Sequence, residues 1–245
     1  MTLSIAIAGA EGRMGAALRA AAAKDPRFYL AGATTRGASV EKAAASAEVW
    51  IDFTTPEATM AALAALPATK VRAAIIGATG LSSQQQAEIA NAARRIAIVY
   101  SGNFSLGVNV LAALVEQAAR QLGSAWDIEI VEAHHRGKID APSGTALMLG
   151  EAAAAGRNQK LVDVAIAPRQ GVTGPRPGEA IAIASLRGGG IVGDHAVIFA
   201  GEHETITLSH RAIDRGLFAD GALSAALWAA NKPPGLYTMK DVLAL

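Results

Sequence analysis

The densest set of chemistry-bearing side chains lies in Glu132-Ala133-His134-His135-Arg136-Gly137-Lys138, with two histidines, an arginine and a lysine inside five residues. Imidazoles and a tuned lysine ammonium move protons near neutral pH. Directly after them, Asp140-Ala141-Pro142-Ser143-Gly144-Thr145 reads as the start of a helix, with Pro142 in its first turn, where a residue lacking an N–H is tolerated. Backbone amides at a helix start lack intrahelical partners, and the dipole there is positive, so anions bind. Ser143, Gly144 and Thr145 add two hydroxyls and a position open to close approach. One segment therefore offers an acid/base pair and a site of carboxylate size. On extended backbone His134 and His135 point to opposite sides and do not share a metal. No His-Glu-x-x-His motif occurs, and His195, His203 and His210 lack ligand spacing, so no metal site is expected.

A second constellation stands near the start of the chain. Gly9-Ala10-Glu11-Gly12-Arg13-Met14-Gly15 falls between a predicted strand and a predicted helix. Such a turn lets a pyrophosphate approach the backbone, with the helix start holding its charge. Gly12 and Gly15 match the second and third glycines of the dinucleotide-binding pattern, while Ala10 stands where the first belongs. The next strand ends in Gly32-Ala33-Thr34-Thr35-Arg36. Sites selective for NAD place a carboxylate there to hold the ribose hydroxyls. Here Arg36 and the threonines suit a 2′-phosphate, so NADPH is expected to serve at least as well as NADH. Gly77-Ala78-Thr79-Gly80 and Ser101-Gly102-Asn103-Phe104 follow further predicted strands at their C-terminal ends, the edge where such sheets bind ligands.

The elements that must position these residues alternate over the first hundred residues. Strands are expected at 3–8, 28–33, 49–53, 71–76 and 96–99, with helices at 13–24, 40–46, 56–66 and 83–94. That alternation is the pattern of a parallel sheet covered on both faces. A long helix at 106–122, a strand at 127–133 and a helix at 144–155 follow. After a turn-rich loop at 168–179, strands at 180–186, 191–200 and 204–210 are expected to run antiparallel. A last helix at 218–230 is expected to return to the first domain. The fold class is thus α/β: a Rossmann-type doubly wound domain over 1–104, an α+β substrate and oligomerisation domain with a mixed or antiparallel sheet over 105–216, and a C-terminal helical segment over 217–245. Hinges are expected near residues 105 and 216.

Composition sets outer bounds. The 245 residues are 51% hydrophobic and carry net charge +1 from 22 basic and 21 acidic side chains, which suggests no nucleic-acid partner. There is no cysteine, which excludes disulfides and thiolate catalysis and fits a reducing, cytoplasmic setting. No basic stretch precedes an apolar run at the N-terminus, and no apolar run reaches the roughly 18 residues of a membrane span.

The run Glu132-Ala133-His134-His135-Arg136-x-Lys138-x-Asp140-Ala141-Pro142-Ser143-Gly144-Thr145-Ala146 resembles the signature of the 4-hydroxy-tetrahydrodipicolinate reductase family, also called dihydrodipicolinate reductases. Gly9 to Gly15, Ile51-Asp52-Phe53-Thr54, Ile76 to Gly80, Asn103-Phe104-Ser105-x-Gly107-Val108-Asn109 and Ile191-Val192-Gly193-Asp194-His195 look like family segments in family order. The resemblance implies NADH- or NADPH-dependent reduction of a cyclic unsaturated dicarboxylate in the diaminopimelate route to lysine, usually by a homotetramer joined through the second-domain sheets. By resemblance, His134 is the acid/base group and Lys138 the second proton donor. His135, Ser143, Gly144, Thr145 and Arg215 bind substrate, and Gly9, Ala10, Glu11, Gly12, Arg13, Met14, Arg36, Gly77, Ala78, Thr79, Ser101, Gly102, Asn103 and Phe104 bind cofactor. Two departures stand out. Thr35 replaces an acidic residue common beside the arginine, and the stretch 37–47 is short. The residues also admit a related reductase of an amino acid or semialdehyde, or a dinucleotide sensor without turnover. The density of titratable groups in 132–145 argues against the sensor.

Overall fold

The structure, a computed structural model, describes residues 2–166 and 168–245. It divides into one unit of Met1–Leu106 with Arg215–Leu245 and a second of Gly107–Asp214. In the first unit β1 (Leu3–Ile7), β2 (Phe28–Ala33), β3 (Val49–Asp52), β4 (Ala73–Ile76) and β5 (Ala97–Tyr100) alternate with α1 (Arg13–Lys24), α2 (Val40–Ala44), α3 (Pro56–Ala65) and α4 (Ser83–Ala92). All are parallel, in the order β2-β1-β3-β4-β5. The alternation of side chains along a strand splits the sheet into two cores. Ile5, Ile7, Ile51, Ile75 and Val99 pack on one side, and Ala6, Trp50, Ala74, Ile76 and Ile98 on the other.

The chain leaves β1 first toward β2 and later toward β3, so the strand order reverses between β1 and β3. Ligands of doubly wound sheets bind at the C-terminal ends of strands at such a reversal. Side-chain caps hold two of the flanking helices. Thr55 caps α3 with Pro56 in the first turn, and Ser82 and Gln85 form a capping box on α4.

The second unit holds α5 (Leu106–Leu122) from Gly107 onward, β6 (Asp127–His134), α6 (Gly144–Gly156), α7 (Leu161–Val164), β7 (Ala165–Ile166), β8 (Ile181–Arg187), β9 (Asp194–Ala200) and β10 (Thr205–Arg211). Its sheet runs β10-β9-β6-β8-β7. One face packs Ile128, Ile130, Ile181, Ile183, Val197 and Phe199 with Leu149 and Ala153 of α6 and Val115 of α5. The sheet is mixed, and its last three strands alternate in direction as expected, but the first of them pairs with β6 rather than with the second. β9 is antiparallel to both β10 and β6. β8 is parallel to β6 and is not paired with β9. The cause is the crossover through α6, which returns the chain in the direction it left. The strand expected from Ile191 begins at Asp194.

α8 (Gly216–Ala229) returns to the first unit, where Ala219, Ala222, Ala226 and Ala229 join the core lined by Ile5 and Ile7. β11 (Gly235–Tyr237) then pairs parallel to β5 as a sixth strand, and α9 (Met239–Leu243) closes the chain. The sequence reading did not anticipate α7, β7, β11 or α9, each of two to five residues, because elements so short show no period.

Candidate active site

In the first unit the loops after β1, β2 and β3 surround a cavity of about 920 Å³ lined by Gly9, Glu11, Gly12, Arg13, Met14, Arg36 and Asp52, among others. Gly9 takes φ +62°, and a Cβ there would stand 2.7 Å from Thr54 Cγ2. The left-handed residue of the turn is therefore Gly9, which is why Ala10 is tolerated where a glycine was expected. Ala10 is buried and its amide donates to the Thr34 carbonyl at 2.9 Å. At Gly15 a Cβ would stand 2.2 Å from the Gly9 carbonyl oxygen, so glycine alone lets α1 start this close to the turn. Gly12 caps α1 with no side-chain hydrogen bond, so the helix start presents its amides outward.

Thr35 and Arg36 line the same cavity and are exposed. Two buried atoms in the lining, Trp50 Nε1 and Asp52 Oδ2, have no partner among the described residues. A turn closed to any side chain, an uncapped helix start and orphaned donor and acceptor atoms fit a dinucleotide.

The two later loops differ from expectation. Gly77 is glycine because a Cβ would enter the Phe53 ring, 2.1 Å from Cε1, and Ala78 is buried. Thr79 and Gly102 are exposed. Ser101 Oγ donates to the Asn103 carbonyl at 2.8 Å and accepts from the Asn103 amide at 3.2 Å. Phe104 is buried, its ring edge-on to Phe53. Only the backbone of Phe104 and Ala78 remains for a ligand.

In the second unit β6 buries alternate residues, so Ile128, Ile130 and Glu132 share the inner face. Glu132 is fully buried. Arg187 grips it with both nitrogens, Nη1 to Oε2 and Nη2 to Oε1, each at 2.8 Å. Two residues on, His134 returns to the same face, and its Nδ1 lies 2.6 Å from Glu132 Oε2. That leaves Nε2 as the imidazole atom able to exchange a proton. The neighbouring strands complete the cluster: Ser185 of β8 and His195 of β9 stand opposite Glu132, and Arg187 opposite His134.

Ser143 caps α6, its Oγ accepting from the Ala146 amide at 3.2 Å and contacting His195 Nε2 at 3.1 Å. Its own amide donates to Glu132 Oε1 at 3.2 Å. The Ser143 amide and hydroxyl thus both have protein partners in this structure. Gly144 is exposed, with open space where a Cβ would stand. Pro142 precedes the cap, joined by a cis bond to Ala141, and lies outside the first turn where it was expected.

Lys138 Nζ binds both Asp140 oxygens at 2.8 Å. His135 is half-buried, its carbonyl accepting from the Lys138 amide at 3.1 Å. Arg215 caps α8 and belongs to the first unit, not to this cluster.

The residues that sequence reading missed are Glu132 as a buried anchor, Arg187, His195 and Asp140. One signal was present: Glu132 falls on the apolar parity of its strand, where a lone acid must find a cation. Burial acts to raise the Glu132 carboxyl, but hydrogen bonds from Arg187, Ser185 and His134 outweigh it and hold it at about 2.

His195 is pushed down to about 4 by burial first and by the neighbouring His134 second. An unfolded histidine titrates near 6.5, so between pH 6.5 and 4 the unfolded chain binds the extra proton. Stability of the second unit should therefore fall by about 3 kcal/mol as pH drops through that window, and this contribution is constant outside it. His195→Gln should flatten that slope in denaturant titrations run at successive pH values. An unchanged slope would place its source elsewhere.

Profiles of known families match both units. The dihydrodipicolinate reductase N-terminus matches residues 3–104 and the dihydrodipicolinate reductase C-terminus matches residues 107–243. A 4-hydroxy-tetrahydrodipicolinate reductase of Caulobacter vibrioides is 55% identical over 249 residues, covering 98% of this chain and 97% of that one. One from Rhodopseudomonas palustris is 49% identical over 266 residues, covering 99% and 98%. A solved structure of a dipicolinate-bound dihydrodipicolinate reductase from Paenisporosarcina sp. TG-14 aligns with TM-score 0.76 at 22% identity, covering 97% of this chain and 98% of that one, a likeness of fold. With both units matched and near-complete relatives at half identity, the chain belongs to the dihydrodipicolinate reductase family.

Proposed function

We propose that this chain reduces 4-hydroxy-tetrahydrodipicolinate, by way of dihydrodipicolinate, to tetrahydrodipicolinate, with His134 as acid/base group and Lys138 as second proton donor. Membership of the family makes it an NAD(P)H-dependent oxidoreductase of lysine biosynthesis. The observation that carries the reading is the full-length 55% identity to a reductase of that name. The geometry of the His134 cluster agrees with it.

In this reading residues 1–104 with the returning segment 217–245 are the dinucleotide-binding domain, and 105–216 are the substrate domain. Gly9 to Met14, Arg36, Gly77 to Thr79 and Ser101 to Phe104 would hold the cofactor. When bound, the reduced nicotinamide supplies hydride. The Gly144-Thr145 helix start holds a substrate carboxylate, aided by His135 and Lys138. After water leaves the hydroxylated ring, hydride reaches C4 and electron density shifts onto the ring carbon between C4 and the imine carbon. Positive charge around the ring stabilises that density. His134 Nε2, or Lys138 assisted by it, delivers the proton to that carbon.

A homotetramer in the cytoplasm goes with this reading. It is supported by the second face of the five-stranded sheet, where Val131, Ala184, Leu186 and Ile198 lie exposed or half-buried and outside the packed core. No helix among the described residues is long and apolar enough to cross a membrane.

The test is NADPH absorbance with freshly generated 4-hydroxy-tetrahydrodipicolinate, repeated with NADH. Substrate-dependent oxidation is expected, at least as fast with NADPH. Arg36→Ala should raise KM for NADPH about tenfold, equal to about 1.4 kcal/mol, and leave KM for NADH within about twofold, since a 2′-phosphate contact is lost. A strong NADH preference in the unaltered chain would remove the Arg36 role. Cofactor binding without any oxidation would discard the reductase.

A further inference from the structure

Glu132 is a charged, fully buried group that the proton transfers above do not consume. A buried carboxylate persists as an anion only if cations and donors surround it. Arg187 supplies both, and it reaches further. Nη1 also donates to the Leu186 carbonyl and Nη2 to the Asp140 carbonyl, each at 2.7 Å. The arginine therefore joins the end of β8, the segment leading into α6 and the carboxylate. Its planar fork makes this arrangement rigid.

An ionised carboxylate only accepts hydrogen bonds. Glu132 Oε2, 2.6 Å from His134 Nδ1, therefore requires a hydrogen on Nδ1. The neutral ring then carries its lone pair on Nε2. A Cβ on Gly193 would stand 3.1 Å from that Nε2, so the residue facing the ring is the one that leaves it room. The other carboxylate oxygen, Oε1, receives the Ser143 amide at 3.2 Å. One side chain thus ties the imidazole to the cap of the helix whose start takes the anion.

We propose that Glu132, held by Arg187, is a positioning residue for the reaction: it fixes His134 in the Nδ1–H tautomer with Nε2 as the working atom, and sets that ring against the start of α6. This rests on the reading of His134 as the acid/base group. A carboxylate behind a working histidine sets tautomer and ring orientation, and its loss in comparable sites costs 10–100-fold.

The experiment has two arms. In the unaltered chain, nitrogen NMR of labelled histidines, with His134 assigned by its loss in His134→Asn, is expected to show the neutral ring as Nδ1–H. That arm needs no variant of Glu132 and survives any folding defect. In the second arm Glu132→Gln, which keeps the shape but offers an amide, should lower kcat about 30-fold with KM changed less than about threefold. It should also mix the two tautomers, while Glu132→Asp restores the Nδ1–H form. An Nε2–H ring in the unaltered chain, or Glu132→Gln with unchanged kcat, overturns the positioning role alone. An unaltered chain that turns over no substrate overturns the acid/base reading along with it.

Discussion

His134→Ala should lower kcat about a hundredfold or more, the loss typical of a missing general acid. The ring stands on a strand, packed edge-on to His195 at 5.1 Å between ring centres, and its Nδ1 is committed to Glu132. Its removal deletes Nε2 as the atom that exchanges the proton and leaves the dinucleotide turn of the first unit untouched, so NADPH binding measured by fluorescence should stay within about twofold. Lys138→Ala should cost a comparable factor, though the side chain starts from an ion pair. That pair is with Asp140, at 2.8 Å.

If both groups serve one proton transfer, the double variant should lose much less than the product of the two losses, as residues acting as a unit do. Near-normal turnover in both single variants would end the assignment. A loss in Lys138→Ala that appears only in KM would make that lysine a binding group.

Gly221→Ala should be among the most destabilising single changes in the first unit, and it looks harmless in the sequence. Alanine is a better helix former than glycine by roughly 1 kcal/mol, and Gly221 lies inside α8. In the structure, however, a Cβ at Gly221 would stand 1.7 Å from the Phe104 carbonyl oxygen and 2.9 Å from its carbon. Those are backbone atoms, next to a fully buried ring, so neither side can give way cheaply. The cost should be about 3 kcal/mol, or a melting point lower by about 6–12 °C at this chain length. Gly178→Ala, which meets nothing within 4 Å, should stay within about 0.5 kcal/mol. Equal melting curves for the two variants would show that α8 shifts freely over the Phe104 segment.

Much of the architecture was legible because it depends on local patterns. Strand and helix periods marked β1 to β5 and their helices. Elements of a few residues had no period to show, and the direction of β8 depended on a crossover rather than on its own residues. The glycine turn was read with its first glycine one position late, because Gly9 alone carries the positive φ, which a pattern of residue types does not reveal.

By itself the sequence determined that a dinucleotide turn follows the first strand, that two histidines and a lysine precede a capped helix start, and that the chain resembles one reductase family. Those features are contiguous, so spacing exposes them. Tertiary structure alone decided that Glu132 anchors His134, that Arg187 arrives from 55 residues away to keep it charged, and that His195 meets the Ser143 hydroxyl from 52 residues away. Each of these is a choice of partner for a buried polar group. Burial makes that choice compulsory, and only the paired strands of the folded sheet bring the partners within reach.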